Sequence, residues 1–318
     1  MESTIPIIDL SAMCLGKTTE HSSSSEISQL ADEIYQAFCT VGFVYIKNHG
    51  IPQEKIDTIF KLCDEFFQLD YAVKQKYARP ASGSGHGWVA FEREKVSLDR
   101  PADHKEAFNI TEPQTHQRPW PDKEVPNFQS EIASFFDICG DLSLKILHIM
   151  ALGLQLENPG VFTNTHKVMA STKNCTTLRL LHYPCIPQDK LIKPGQIRCG
   201  EHTDYGSITL LFQDNMPGLE VLPIGCTEYV PAPPLPGTIV VNVADLMQRW
   251  TADQLKSTRH RVSIPSEECH RRVPRRSLAF FVHPDDDTVI TCLDGSQKYS
   301  PITAYDYLWQ RVKATYEY

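Results

Sequence analysis

Thr238-Ile239-Val240-Val241-Asn242-Val243 reads as a β-strand, because β-branched side chains fill it and Leu235-Pro236-Gly237 supplies the turn before it. Segments of the same kind recur at Thr177–Tyr183, Ser207–Phe212, Leu219–Leu222, His260–Ile264 and Ser277–Val282. Pro- and Gly-containing turns separate them. Short strands spaced about ten residues apart predict an antiparallel β-sandwich or barrel over residues 176–284.

Upstream the period changes to that of a helix. Ile27, Leu30, Ile34, Ala37, Phe38 and Val41 share one face of a helix over Glu26–Val41, which Gly42 ends. Phe43–Ile46 follows as a strand, closed by Asn48-His49-Gly50. Pro52 opens a second helix with Ile56, Ile59, Phe60, Cys63, Phe66 and Phe67 on its buried stripe. A long third helix is predicted over Phe128–Leu156, stopped by Pro159, and a last one over Thr303–Tyr316. Ile5–Leu10 is a short apolar run broken by Pro6, and residues 79–90 form a glycine-rich loop. The prediction is one domain over residues 1–318, mainly β with N-terminal helices. Residues 1–160 are its helical part, 176–284 its barrel and 302–318 its C-terminal helix.

Composition narrows the function. A chain of 318 residues buries a core without staples. Its 31 basic and 39 acidic residues, net −8 with no basic block, exclude nucleic acid as the expected partner. No apolar run is long enough for a membrane span. Met1-Glu2-Ser3-Thr4-Ile5-Pro6 has neither a basic start nor an apolar stretch, so no secretory signal is read. The ten cysteines form no CxxC pair and are expected as free thiols in a reducing compartment. A cytosolic monomer is expected.

Gly200-Glu201-His202-Thr203-Asp204-Tyr205-Gly206-Ser207 precedes one of the strands. In extended chain, residues two apart share a face, so His202 and Asp204 aim an imidazole and a carboxylate at one point. His260, in Thr258-Arg259-His260-Arg261-Val262, lies on a distant strand that a barrel can bring alongside. Two histidines and a carboxylate form the facial triad of non-haem Fe(II) oxygenases, although zinc accepts the same ligands. Arg275-Arg276-Ser277-Leu278-Ala279-Phe280-Phe281 puts Arg275, Ser277 and Phe281 on one strand face and Arg276 on the other. An inward guanidinium and hydroxyl suit a distal carboxylate; the competing reading is two solvated arginines at a hairpin end.

His202-x-Asp204, His260 and Arg275-x-Ser277, in that order, resemble the iron- and 2-oxoglutarate-dependent dioxygenases of the isopenicillin N synthase-like group. Ile5-Pro6-Ile7-Ile8-Asp9-Leu10, Gly42 through Pro52, and Leu235 through Leu246 carry the same resemblance. It implies a double-stranded β-helix (jelly-roll) core with Fe(II), and 2-oxoglutarate and O2 as cosubstrates. By resemblance His202, Asp204 and His260 are the iron ligands. Arg275 and Ser277 hold the C5 carboxylate, with Tyr183 assisting. Arg179, on the face of Tyr183, is placed at the cosubstrate or an acidic substrate, a salt bridge at the barrel rim being its alternative. Leu181 stands where plant members usually carry an asparagine.

Phe281, Tyr205, Trp88, Phe91 and Glu92 are the substrate-facing candidates, with loop packing the favoured alternative for the last three, which follow the glycine-rich loop; Glu106 and Phe108 are expected to support the site wall. His49 and His148 are read as structural. The expected activity is oxidation of a C–H bond in a small polar molecule, such as a nucleobase, amino acid or secondary metabolite. Its competitors are an oxidase that uses no 2-oxoglutarate and a non-catalytic binding protein of the same fold.

Overall fold

The computed structural model describes residues 5–17, 23–80, 85–95, 100–114, 118–186 and 192–315. The chain opens on strand β1 (Ile7–Asp9) and helix α1 (Ser24–Thr40). Ser23 caps α1: its hydroxyl accepts the Glu26 N–H while the Glu26 carboxylate accepts the Ser23 N–H, a reciprocal capping box. At Gly42 the chain turns with φ +74°, and a Cβ there would lie 2.2 Å from the Lys256 carbonyl oxygen. Only glycine fits that corner, which leads into β2 (Phe43–Lys47). Helices α2 (Gln53–Phe67) and α3 (Tyr71–Lys74) follow, then β3 (Gly87–Val89), β4 (Glu106–Ile110) and the long α4 (Phe128–Gly153).

The second half is sheet. It supplies β5 (Thr177–Tyr183), β6 (Cys199–His202), β7 (Ile208–Gln213), β8 (Leu219–Val221), β9 (Val230–Pro231) and β10 (Thr238–Val243). After α5 (Asp245–Trp250) come β11 (His260–Val262), α6 (Glu268–Arg271) and β12 (Arg275–Val282). The small pair β13 (Val289–Ile290) and β14 (Ile302–Thr303) leads into α7 (Ala304–Thr315).

The larger sheet has the order β1-β2-β10-β7-β12-β5-β4-β3, and the smaller one β6-β11-β8-β9. Strand alternation divides the larger sheet between two cores. On β12, Leu278, Phe280 and Val282 pack toward the helices, where Phe136 meets Phe280 edge-on at 4.8 Å and Phe135 meets Phe212 at 5.1 Å. Burying each such ring contributes on the order of 2–3 kcal/mol. The opposite face joins Tyr45, Leu181, Tyr183, Val240 and Ala279 to Cys199, Leu219, Val221 and Val262 of the smaller sheet. Helices, large sheet and small sheet therefore stack as three layers, and the interior of the jelly roll lies between the two sheets.

The predicted bounds of β5 and β10 match the structure, whereas β3, β4 and β6 are strands that the sequence pattern does not announce. All five residues of β4 are buried, so it shows no alternation to read. Helix α4 stops at Gly153 rather than Leu156, because Gln155 adopts a left-handed φ of 53°. The last predicted helix is observed to Thr315; Tyr316 lies outside the described residues. All ten cysteines are free.

Candidate metal and cosubstrate centre

Antiparallel pairing of β6 with β11 sets His202 directly opposite His260, with ring centroids 4.3 Å apart. Asp204, just past the end of β6, brings Oδ1 to 3.7 Å from Nε2 of both histidines. Candidate ligand atoms of the three residues all lie within 4.8 Å of one another.

Their other polar atoms are already engaged. Nδ1 of His202 faces the Gly200 carbonyl at 2.8 Å, and Nδ1 of His260 faces the Thr258 carbonyl at 3.1 Å. A carbonyl only accepts, so each Nδ1 carries a proton and each Nε2 is the atom left to face the centre. Asp204 Oδ2 accepts from the Thr209 hydroxyl at 2.6 Å and the Asn242 amide at 2.8 Å, which leaves Oδ1 for the histidine side. Burial, reinforced by His260, pushes the His202 pKa down to about 3, so the imidazole is neutral. Burial raises the Asp204 carboxyl, but the two imidazoles and the bonds from Thr209 and Asn242 outweigh it and hold the pKa below the usual range. Two imidazoles and one carboxylate with braced outer atoms fit a divalent transition metal.

A cavity of about 280 Å³ runs past this cluster between the sheets, near the lower end of small-molecule sites. Tyr183 and Leu181 of β5 pair with Arg275 and Ser277 of β12, and all four line its inner end. Arg275 is 1% exposed. Its Nη2 donates to Gln213 Oε1 at 2.8 Å, its Nε to the Met216 carbonyl at 3.3 Å and its Nη1 to Ser277 Oγ at 3.4 Å. The Tyr183 ring lies 5.1 Å from the guanidinium carbon. Every acceptor is neutral, so the buried cation has no carboxylate among the described residues. Arg276 points the other way, to Asp64 and Asp214, as the period of two requires. A distal carboxylate fits this end.

The opposite end is lined by Thr177, Arg179, Asn109, Tyr205, Phe281 and, from α7, Leu308 and Val312. Arg179 pairs with Glu94, which also sits 3.7 Å from Lys105 Nζ. Lys105 is fully engaged, reaching Asp103 at 2.7 Å and Cys199 Sγ at 3.2 Å. Asn109 stands across the ladder from Arg179, and its Oδ1 has no partner among the described residues.

Three substrate-facing candidates pack away from the cavity, in line with the alternative reading of loop packing. Trp88 is a core residue, 2% exposed, whose indole N–H donates to Glu106 at 2.8 Å. Phe91 packs edge-on against His104, and Glu92 accepts from Gln196 at 2.9 Å; neither lines the cavity. The glycine-rich loop reaches the cavity through Arg79 and Gly85 instead. Glu106 and Phe108 are buried outside the cavity lining, Glu106 against Lys74 and Phe108 in the helix-side core. Sequence reasoning misses Thr209, Asn242, Gln213, Lys105 and Asn109. Asn242 is accessible to it, since alternation along β10 puts this residue on the inward face with Val240.

Comparison with known proteins identifies the family. Residues 5–131 match the family described as non-haem dioxygenase in morphine synthesis N-terminal, and residues 161–284 match the 2OG-Fe(II) oxygenase superfamily. A proline hydroxylase, buaE, from Petromyces alliaceus is 34% identical over 89% of this chain and 92% of its own. A 2-oxoglutarate-Fe(II) type oxidoreductase, ppzD, from Metarhizium rileyi is 31% identical over 99% and 92%. A full-length Neurospora crassa protein crystallised in complex with alpha-KG and thymine superimposes with a TM-score of 0.86 at 32% identity, covering 98% of this chain and 97% of that one. The chain belongs to the 2-oxoglutarate- and Fe(II)-dependent oxygenase superfamily, and it is a dioxygenase that requires Fe(II), 2-oxoglutarate and O2.

Proposed function

We propose that His202, Asp204 and His260 hold the iron, and that Arg275 and Ser277, backed by Tyr183, seat the distal carboxylate of 2-oxoglutarate. The observation that carries this reading is Arg275, a buried guanidinium with only neutral acceptors, at the inner end of the cavity that holds the triad. Bound iron supplies the oxidising chemistry, converting 2-oxoglutarate and O2 to succinate and CO2 as a substrate C–H bond is oxidised. The protein's own part is to fix the ligands, orient both small molecules and exclude water.

The substrate proposed is a small polar molecule that fills the outer end. Asn109 Oδ1 offers an acceptor to a substrate N–H, Arg179 a cation to an oxygen, and Phe281 and Tyr205 flat apolar surfaces. The relatives support this size class: one is named a proline hydroxylase, and the Neurospora crassa protein has been crystallised with thymine. The enzyme is proposed to act as a monomer of one domain in the cytosol; among the described residues no helix is long and apolar enough to cross a membrane.

Incubating the iron-loaded protein with 2-oxoglutarate and a panel of cyclic amides, nucleobases and amino acids tests the reading. One class should accelerate succinate release and gain oxygen in step with it. Acceleration only by large apolar compounds would overturn the proposed substrate class.

A further inference from the structure

Beside Arg275 the structure buries a second arginine that the reaction as described leaves unused. Arg198, immediately before β6, is 0% exposed, and its Nε, Nη1 and Nη2 have no hydrogen-bond partner among the described residues. It stands over the loop that follows β7: a Cβ built on Gly218 would lie 3.8 Å from Arg198 Nη1. Arg275 reaches the same loop through its bond to the Met216 carbonyl. The loop's carboxylate, Asp214, is taken by Arg276, whose backbone N–H and Nε donate to it at 2.7 and 3.2 Å. Two guanidiniums are therefore buried at one end of the barrel, and among the described residues no carboxylate is bonded to either. Burial, with the charge of Arg275 adding to it, brings the Arg198 pKa down to about 10, which leaves the group charged at neutral pH.

A buried cation without an acceptor opposes folding, and such costs persist where a function requires them. We propose that Arg198 is a cosubstrate-positioning residue: from beside Arg275 it adds a second positive charge to the field that attracts and holds the distal carboxylate of 2-oxoglutarate. This rests on the placement of that carboxylate at Arg275 and Ser277. Arg198 does not line the cavity, so it acts through the field and through Arg275 rather than by contact.

The test is calorimetric binding of 2-oxoglutarate to Mn(II)-loaded protein, together with melting temperatures. Arg198→Met should melt higher than wild type without cosubstrate, because an unpaired buried charge is gone. It should bind 2-oxoglutarate about tenfold or more weakly, the scale of one further charge acting over several ångströms. Its affinity for 2-oxopentanoate, which has the chelating head but no distal carboxylate, should not change. Arg198→Lys, which keeps the charge, should recover most of the lost affinity. A lower melting temperature with unchanged 2-oxoglutarate affinity would make Arg198 a structural residue and overturn the proposal, as would equal weakening of both oxoacids. Arg275→Leu is measured alongside. Weakening by Arg275→Leu but not by Arg198→Met rejects only the role of Arg198, whereas no effect of either rejects the carboxylate placement itself.

Discussion

His202 and His260 are direct cross-strand partners, paired by the antiparallel ladder between β6 and β11. A cross-strand pair fixes the distance between two side chains through backbone hydrogen bonds rather than through flexible loops. The centre thus inherits its geometry from the sheet. Asp204 completes it from the turn that follows, where its main-chain carbonyl accepts the Asp245 N–H at 2.8 Å.

Replacing Arg275 by leucine should weaken 2-oxoglutarate far more than iron. Loss of a charge-assisted contact to a buried carboxylate is worth about 2–5 kcal/mol, a thirtyfold to several-thousandfold change in affinity. Succinate release as a function of 2-oxoglutarate concentration reads it. An unchanged requirement would mean that the carboxylate lies elsewhere.

Asn242 braces the Asp204 carboxylate from β10. Asn242→Leu removes one of two bonds to Oδ2, and loss of such an outer bond typically weakens a metal about ten- to a hundredfold. Iron affinity by competition with a chelator should fall in that range while 2-oxoglutarate affinity of the metal-saturated protein stays near wild type. Equal affinity for iron in both proteins would show that Thr209 alone suffices.

Acid sensitivity should reside in buried histidines other than the candidate metal ligands. Burial lowers His86 and His166 from 6.5 to about 4. Between those values the unfolded chain binds protons that the folded chain refuses, so stability should fall as pH drops from about 6.5 to about 4 and level off above 6.5. Each histidine contributes on the order of 3 kcal/mol across that window. Denaturant titrations at several pH values should show the slope, and His166→Gln should flatten it. A wild-type slope of opposite sign would contradict the assignment.

The barrel is legible in the sequence because β5 and β10 are short aliphatic runs bounded by turn residues, and the helical layer because α1 and α2 carry apolar stripes. Strand β4 is hidden: both of its faces are buried, and Glu106 within it is neutralised by Lys74 at 2.8 Å, a contact no local pattern announces. In the site, the i, i+2 rule places His202, Arg275 and Ser277. Position after the glycine-rich loop does not decide Trp88, Phe91 and Glu92, since whether such a residue meets a cavity or packs elsewhere depends on contacts such as β3 pairing with β4. Arg198 and Asn109 lie beyond the rule's reach, because an unpartnered polar group is visible only when its whole surroundings are.

Iron stoichiometry in single variants is the most direct test of the centre. Anaerobically loaded wild type should hold one Fe(II) per chain. His202→Ala and Asp204→Ala should hold almost none at the same free iron, with circular dichroism like that of wild type, because these side chains face a cavity rather than a packed core. Retention of one Fe(II) per chain by either variant would contradict the assignment of His202, Asp204 and His260 as the metal ligands.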